Sequence, residues 1–127
     1  MQKLTRGLVG TAGVLALLMA VVFWLRPAEL GGKLGLEPVG ALGLASLRAD
    51  LGGFFGAAGV FALLAAVRNR RDLLLVPITL IGIALAGRML SLALTGLSPP
   101  LIQPIVVEAV LLAIMVLGYR GLNKSSV

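Results

Sequence analysis

The chain contains no cysteine and no histidine. Without thiols it can form no disulfide, no thiolate nucleophile and no cysteine-ligated zinc or iron–sulfur site. Without imidazole it lacks the usual haem and metal ligand and the commonest general base. Charged residues make up only 13% of the 127 positions, 5 acidic against 11 basic, and aromatic residues 5%. A soluble domain carries about 25% charged residues, so a soluble globular enzyme is excluded. What fills the chain instead is apolar: 59% of residues are hydrophobic and the mean hydropathy is +1.08. Any chemistry must rest on carboxylates, cations, hydroxyls and backbone. No catalytic residues, metal ligands or cofactor are assigned.

Long uncharged runs follow one another along the sequence. Residues 7–25 carry no charge and are bracketed by Lys3, Arg6 and Arg26. A membrane span needs about 20 apolar residues at 1.5 Å rise each, and this run meets that length. A cleaved signal peptide is the rival reading, but its apolar region is only about 7–15 residues and ends in small residues, whereas this run ends in Phe23-Trp24-Leu25-Arg26-Pro27. An uncleaved anchor with Trp24 in the interfacial belt is expected. Pro27 is expected to stop it, and the Gly-rich, mixed-charge stretch 28–38 to lie as a surface loop with at most a short amphipathic turn. Further helices are expected at 44–67, 73–95 and 103–119, the last two separated by Gly96-Leu97-Ser98-Pro99-Pro100. The fold class is therefore all-α: one integral membrane domain over residues 1–127, a four-helix bundle.

The charges then sort by side. Lys3, Arg6, Arg68, Arg70, Arg71, Arg120 and Lys124 fall at one end of the bundle with the single acid Asp72. Arg26, Lys33, Arg48 and Arg88 fall towards the other with Glu29, Glu37, Asp50 and Glu108. The whole net charge of +6 thus collects at one end. By the positive-inside rule both termini are expected in the cytoplasm, and the loop between helices one and two outside. The cations are divided among short flanks with no aromatic platform between them, so nucleic acid is not an expected partner.

Two charges interrupt the spans themselves. Arg88 lies seven residues before Thr95, about 10 Å below the end of helix three. A buried arginine in lipid costs at least ~2.5–3.5 kcal/mol on insertion scales and normally faces a partner or cavity. Arg88, Ser91 and Thr95 share one helical stripe. Glu108, four residues after Pro104, is expected at nearly the same depth, about 6 Å into helix four. With Asp50 and Arg48 entering helix two from the same side, a charged pocket beneath the outer surface is expected from Arg88, Glu108, Asp50, Arg48, Ser91 and Thr95. The plain alternatives are a register-fixing salt bridge for Arg88 and Glu108 and an N-cap for Asp50. Arg48 and Asp50 lie about 200° apart round a helix, so both cannot face one pocket. Gly52, Gly53, Gly56, Gly59 and Gly87 are expected to let helices approach closely, as small residues do in membranes.

The string Leu47-Arg48-Ala49-Asp50-Leu51-Gly52-Gly53-Phe54-Phe55, with Gly87-Arg88 in helix three and a glutamate early in helix four, resembles a bacterial domain of unknown function, number 4345, a group of small four-helix membrane proteins loosely similar to the DoxX-like group. The resemblance covers nearly the whole chain and singles out Arg48, Asp50, Gly52, Gly53, Arg88 and Glu108. It implies no activity, and it departs at Thr95-Gly96, where the family pattern places an acid before glycine. The expected function is to bind a lipid or other amphiphile in the outer pocket of a bacterial inner-membrane protein. An accessory or assembly subunit of a larger complex, or a homo-oligomer, is the alternative. A lipid isomerase or a proton-coupled carrier is a weaker one.

Overall fold

A computed structural model describes residues 2–122, and it is helical with no strand among them. Lys124, counted above with the basic end, lies outside the described residues. Four helical segments are long and apolar enough to cross a membrane: Gln2–Leu25, Gly40–Arg68, Arg71–Thr95 and Pro99–Gly121. In chain order the elements are α1 (Gln2–Leu25), α2 (Pro27–Lys33), α3 (Gly40–Ser46), a π-helical turn (Leu47–Leu51), α4 (Gly52–Arg68), a 3-10 turn (Arg71–Leu74), α5 (Leu75–Thr95) and α6 (Pro99–Gly121). α1 packs on α4 and α6, and α5 on α4 and α6, so the four long helices close a ring.

The helix bounds differ from the sequence reading where physics permits an earlier start. α1 begins at Gln2 because Lys3 and Arg6 are compatible with helix, and their charge marks the end of the apolar run rather than the end of the helix. α6 begins at Pro99, with prolines in its first turn, where the missing N–H has no intrahelical partner to lose. Pro104 is then inside the helix, and Glu108 lies nine residues in, about 13 Å from the helix start rather than 6 Å. Pro27 does not merely stop α1: it occupies the first turn of the short α2.

One end of the bundle carries the start of α1, the α4–α5 turn and the end of α6. There α4 stops at Asn69, whose left-handed φ of 53° is tolerated by asparagine. The Arg70 N–H bonds back to the Ala65 carbonyl at 3.1 Å, closing a Schellman-type end. Arg6 reaches across from α1: its Nε donates to the Ala66 carbonyl at 2.8 Å and Nη2 to the Val67 carbonyl at 3.2 Å. A cation thus satisfies carbonyls that the helix end leaves unpaired, where the dipole favours positive charge. Arg70 grips Asp72 through two bonds, of 3.2 and 2.7 Å, and the Arg71 guanidinium stacks 4.8 Å over the Tyr119 ring.

The apolar core belongs to this basic end. Val9, Ala12, Ala62, Ala65, Ala66, Leu74, Ile81, Met115 and Leu122 form it. Farther along, burial continues between α1 and α4 through Ala16, Ala20, Phe23, Ala58 and Gly59, and beyond them at Pro27 and Gly31 of α2 and Leu47 of the π turn. The α1–α4 crossing is backbone to backbone. A Cβ on Gly13 would stand 2.8 Å from the Leu63 nitrogen, and one on Gly59 2.8 Å from the Gly13 carbonyl oxygen. Gly118 is equally confined, by Val9 and Leu74. Gly56 faces Ala20 at ordinary contact distance, and Gly52 lies under the Trp24 indole. Gly53 and Gly87 differ from expectation: a Cβ on either would meet nothing within 4 Å, so neither brings helices of this chain together.

These contacts sort the glycines by expected cost. Gly59→Ala should destabilise the protein by about 1–3 kcal/mol through overpacking. Gly53→Ala and Gly87→Ala should leave stability unchanged or raise it by up to about 1 kcal/mol. Thermal unfolding in a single detergent, compared across the three variants, checks the ordering.

Candidate functional site

Arg88 and Glu108 meet. The Arg88 Nε donates to Glu108 Oε1 at 2.7 Å, tying α5 to α6, and the two side chains retain 28% and 13% of their exposure. Arg88 lies seven residues beyond Ile81 on α5, and Glu108 seven residues before Met115 on α6, so each shares the face of a buried core residue. The ion pair therefore occupies the next layer outward on the inward stripes of both helices. Polarity replaces packing there. No residue from 82 to 114 is buried, although α1 and α4 have buried residues at both ends of their length.

One contact leaves most of the pair's bonding capacity unused. A guanidinium has five N–H donors and a carboxylate two acceptor oxygens. Among the described residues, the Nη groups of Arg88 and Oε2 of Glu108 make no hydrogen bond. Ser91 and Thr95, farther along the Arg88 stripe, are exposed, and the Thr95 hydroxyl donates to the Ser91 carbonyl at 2.8 Å. Thr95 is thereby occupied with its own helix end.

Arg48 and Asp50 do not join this layer. Both belong to the π turn, which packs against α1, α2 and α3, and both are exposed. Asp50 forms no ion pair among the described residues, and it does not cap α4, whose N-terminus runs on from the π turn without a side-chain bond. The expected convergence of four charges is corrected to two separate places. Similar depth on different helices does not bring side chains together when their faces diverge.

The second place was not legible as a unit. Arg48 Nε donates to the Trp24 carbonyl at 3.0 Å, and the Trp24 indole N–H donates to the Arg48 carbonyl at 3.2 Å. Gly52 makes room for this: a Cβ there would come within 2.5 Å of the indole nitrogen. The separate signals were a tryptophan at the end of one span and an arginine interrupting the start of the next. Among the shallow hollows on the surface, two are lined without Arg88 or Glu108. One, of about 500 Å³, is bounded by Trp24, Ala45, Arg48 and Ala49, and the other, of about 410 Å³, runs along α1 beside Gly7 and Gly10. Among the described residues no group of acids could hold a metal ion.

With the polar layer between α5 and α6 in place, the comparison with known families is informative. The profile of the domain of unknown function DUF4345 matches residues 4–119. The chain belongs to that family. No curated protein and no solved structure matches it. The DUF4345 match runs from the first turns of α1 to the last of α6, so it takes in both the Arg88–Glu108 layer and the Trp24–Arg48 contact.

If the ion pair holds α5 to α6, removing one partner leaves the other partly buried and uncompensated. Glu108→Ala should destabilise this DUF4345 domain by about 2–4 kcal/mol. The exchanged pair Arg88→Glu with Glu108→Arg should recover at least about half of that loss, as a double-mutant cycle on thermal unfolding measures.

Proposed function

We propose that this DUF4345 protein is a small multi-pass protein of the bacterial inner membrane, both termini cytoplasmic, that holds a lipid or another amphiphile. Its polar group would sit at the Arg88–Glu108 layer and its apolar part among the outer halves of the helices. The observation that carries the reading is the position of the ion pair: on the core stripes of α5 and α6, one layer beyond Ile81 and Met115, with unused donors and an unused acceptor. Ion pairs at span depth are expensive unless completed by further polar partners. A molecule offering both an acceptor and a donor, such as a hydroxyl beside a carbonyl, would satisfy the guanidinium and the carboxylate together.

The orientation rests on the cations, gathered at the end with the termini and the Asn69 turn, as the positive-inside rule requires of a cytoplasmic face. The second reading is an accessory or assembly subunit of a larger membrane complex. It is favoured by the outer half of α5, where Ile83, Leu90 and Leu94 stand well exposed on the side of the helix away from Arg88, a face that a partner helix would cover. An isomerase or proton-coupled carrier is the weaker reading, and it would need Asp50 or Glu108 to exchange a proton.

Mass spectrometry of the protein purified in mild detergent tests the reading. A small molecule should co-purify with the native protein. The charge-neutral pair Arg88→Gln with Glu108→Gln should reduce its occupancy at least about tenfold, the loss expected for one charge-assisted hydrogen bond. Unchanged occupancy would exclude this layer as the seat of the ligand, and a stoichiometric partner protein in place of the small molecule would favour the second reading.

A further inference from the structure

The Trp24–Arg48 contact is a different piece of chemistry from the α5–α6 layer. Trp24 is the penultimate residue of α1, and Arg48 sits in the π turn where the second span begins. The reciprocal bonds hold both side chains: Arg48 by its Nε, Trp24 by its ring nitrogen. The bond to Nε immobilises the guanidinium while leaving its two Nη groups without a partner among the described residues. Those Nη groups form the edge that binds phosphate in a bidentate manner. An arginine that merely extended to water would not need to be fixed in this way.

A shallow, mostly apolar hollow lies beside this contact. Its volume is about 500 Å³, and it is lined by Trp24, Arg48 and the small side chains of Ala45 and Ala49. Asp50, the one acid in the turn, does not line it. Two residues apart on this tightly wound segment, Asp50 and Arg48 project to roughly opposite sides. π turns inserted into helices are frequent at functional sites, because the extra residue shifts side chains out of the regular helical register. Trp24 itself is 62% exposed at the end of a span, the position where amphipathic tryptophan rings meet lipid headgroups.

We infer that Arg48, held by Trp24 in the π turn, binds a phosphate group at the membrane surface, with the phosphodiester of a phospholipid as its natural bearer. This site goes beyond the amphiphile proposed for the Arg88–Glu108 layer and does not depend on it. Arg26, two residues from Trp24, is a built-in control: it is exposed and already paired with Glu29 at 3.3 Å.

Trp24 is the single tryptophan of the chain, so its fluorescence reports this place alone. The protein is reconstituted in nanodiscs of a neutral glycosyl diacylglycerol. A few per cent of either brominated phosphatidylglycerol or a brominated form of the same neutral lipid are then added. Phosphatidylglycerol should quench Trp24 at a concentration about tenfold lower than the neutral lipid, as one charge-assisted contact provides. Arg48→Gln should abolish that preference and Arg26→Gln should retain it. Arg48→Lys keeps the charge without the fork and should lose most of it. If Arg48→Gln fails to fold, the contrast between the two lipids in the native and Arg26→Gln proteins decides. Millimolar inorganic phosphate that removes the preference shows that the seat takes free phosphate as well; persistence of the preference identifies the lipid as the bearer. Equal quenching by the two lipids, or an equal loss in Arg26→Gln and Arg48→Gln, would overturn the inference.

Discussion

A single charge-assisted bond of 2.7 Å between Arg88 and Glu108 stands where a helical bundle would ordinarily place another layer of aliphatic side chains. In water such a pair contributes little. Within a membrane span its two halves cannot separate without stranding a charge in hydrocarbon. It therefore holds α5 beside α6 over a length in which neither helix has a buried residue. It is the charged layer between Ile81 and the far ends of α5 and α6.

The rest of the bundle is held together away from this layer. Tight packing is concentrated elsewhere, where Gly13 and Gly59 let the backbones of α1 and α4 touch and where the apolar core gathers at the basic end. Membrane helices associate through such close van der Waals contact rather than through expulsion of water. The basic end is further secured by Arg6 on the final carbonyls of α4 and by the Arg70–Asp72 pair.

Much of this was legible in the residues, and the failures have physical causes. Apolar runs of span length, interrupted by single charges in α5 and α6, located all four long helices, since lipid demands predominantly apolar sequence and internal backbone bonding. Their first turns were misplaced, because Lys3, Arg6, Pro99 and Pro100 are as acceptable at a helix N-terminus as outside it. Spacing along α5 and α6 placed Arg88 and Glu108 at comparable depth, and they are bonded. Depth is a one-dimensional quantity, however. It could not reveal that the π turn carries Arg48 and Asp50 toward α1, α2 and α3, nor that Gly52 rather than Gly53 faces another helix. Arg6 read as a topological charge, and its role on the α4 carbonyls depends on which helix lies beside it.

The central claim is that a molecule completes the hydrogen bonding of the Arg88–Glu108 layer. A density map of the native protein in lipid nanodiscs tests it most directly. The account predicts non-protein density with a polar group within hydrogen-bond distance of the Arg88 Nη groups and Glu108 Oε2. Side chains of α1 and α4 closed over the pair, with no density between them, would contradict it.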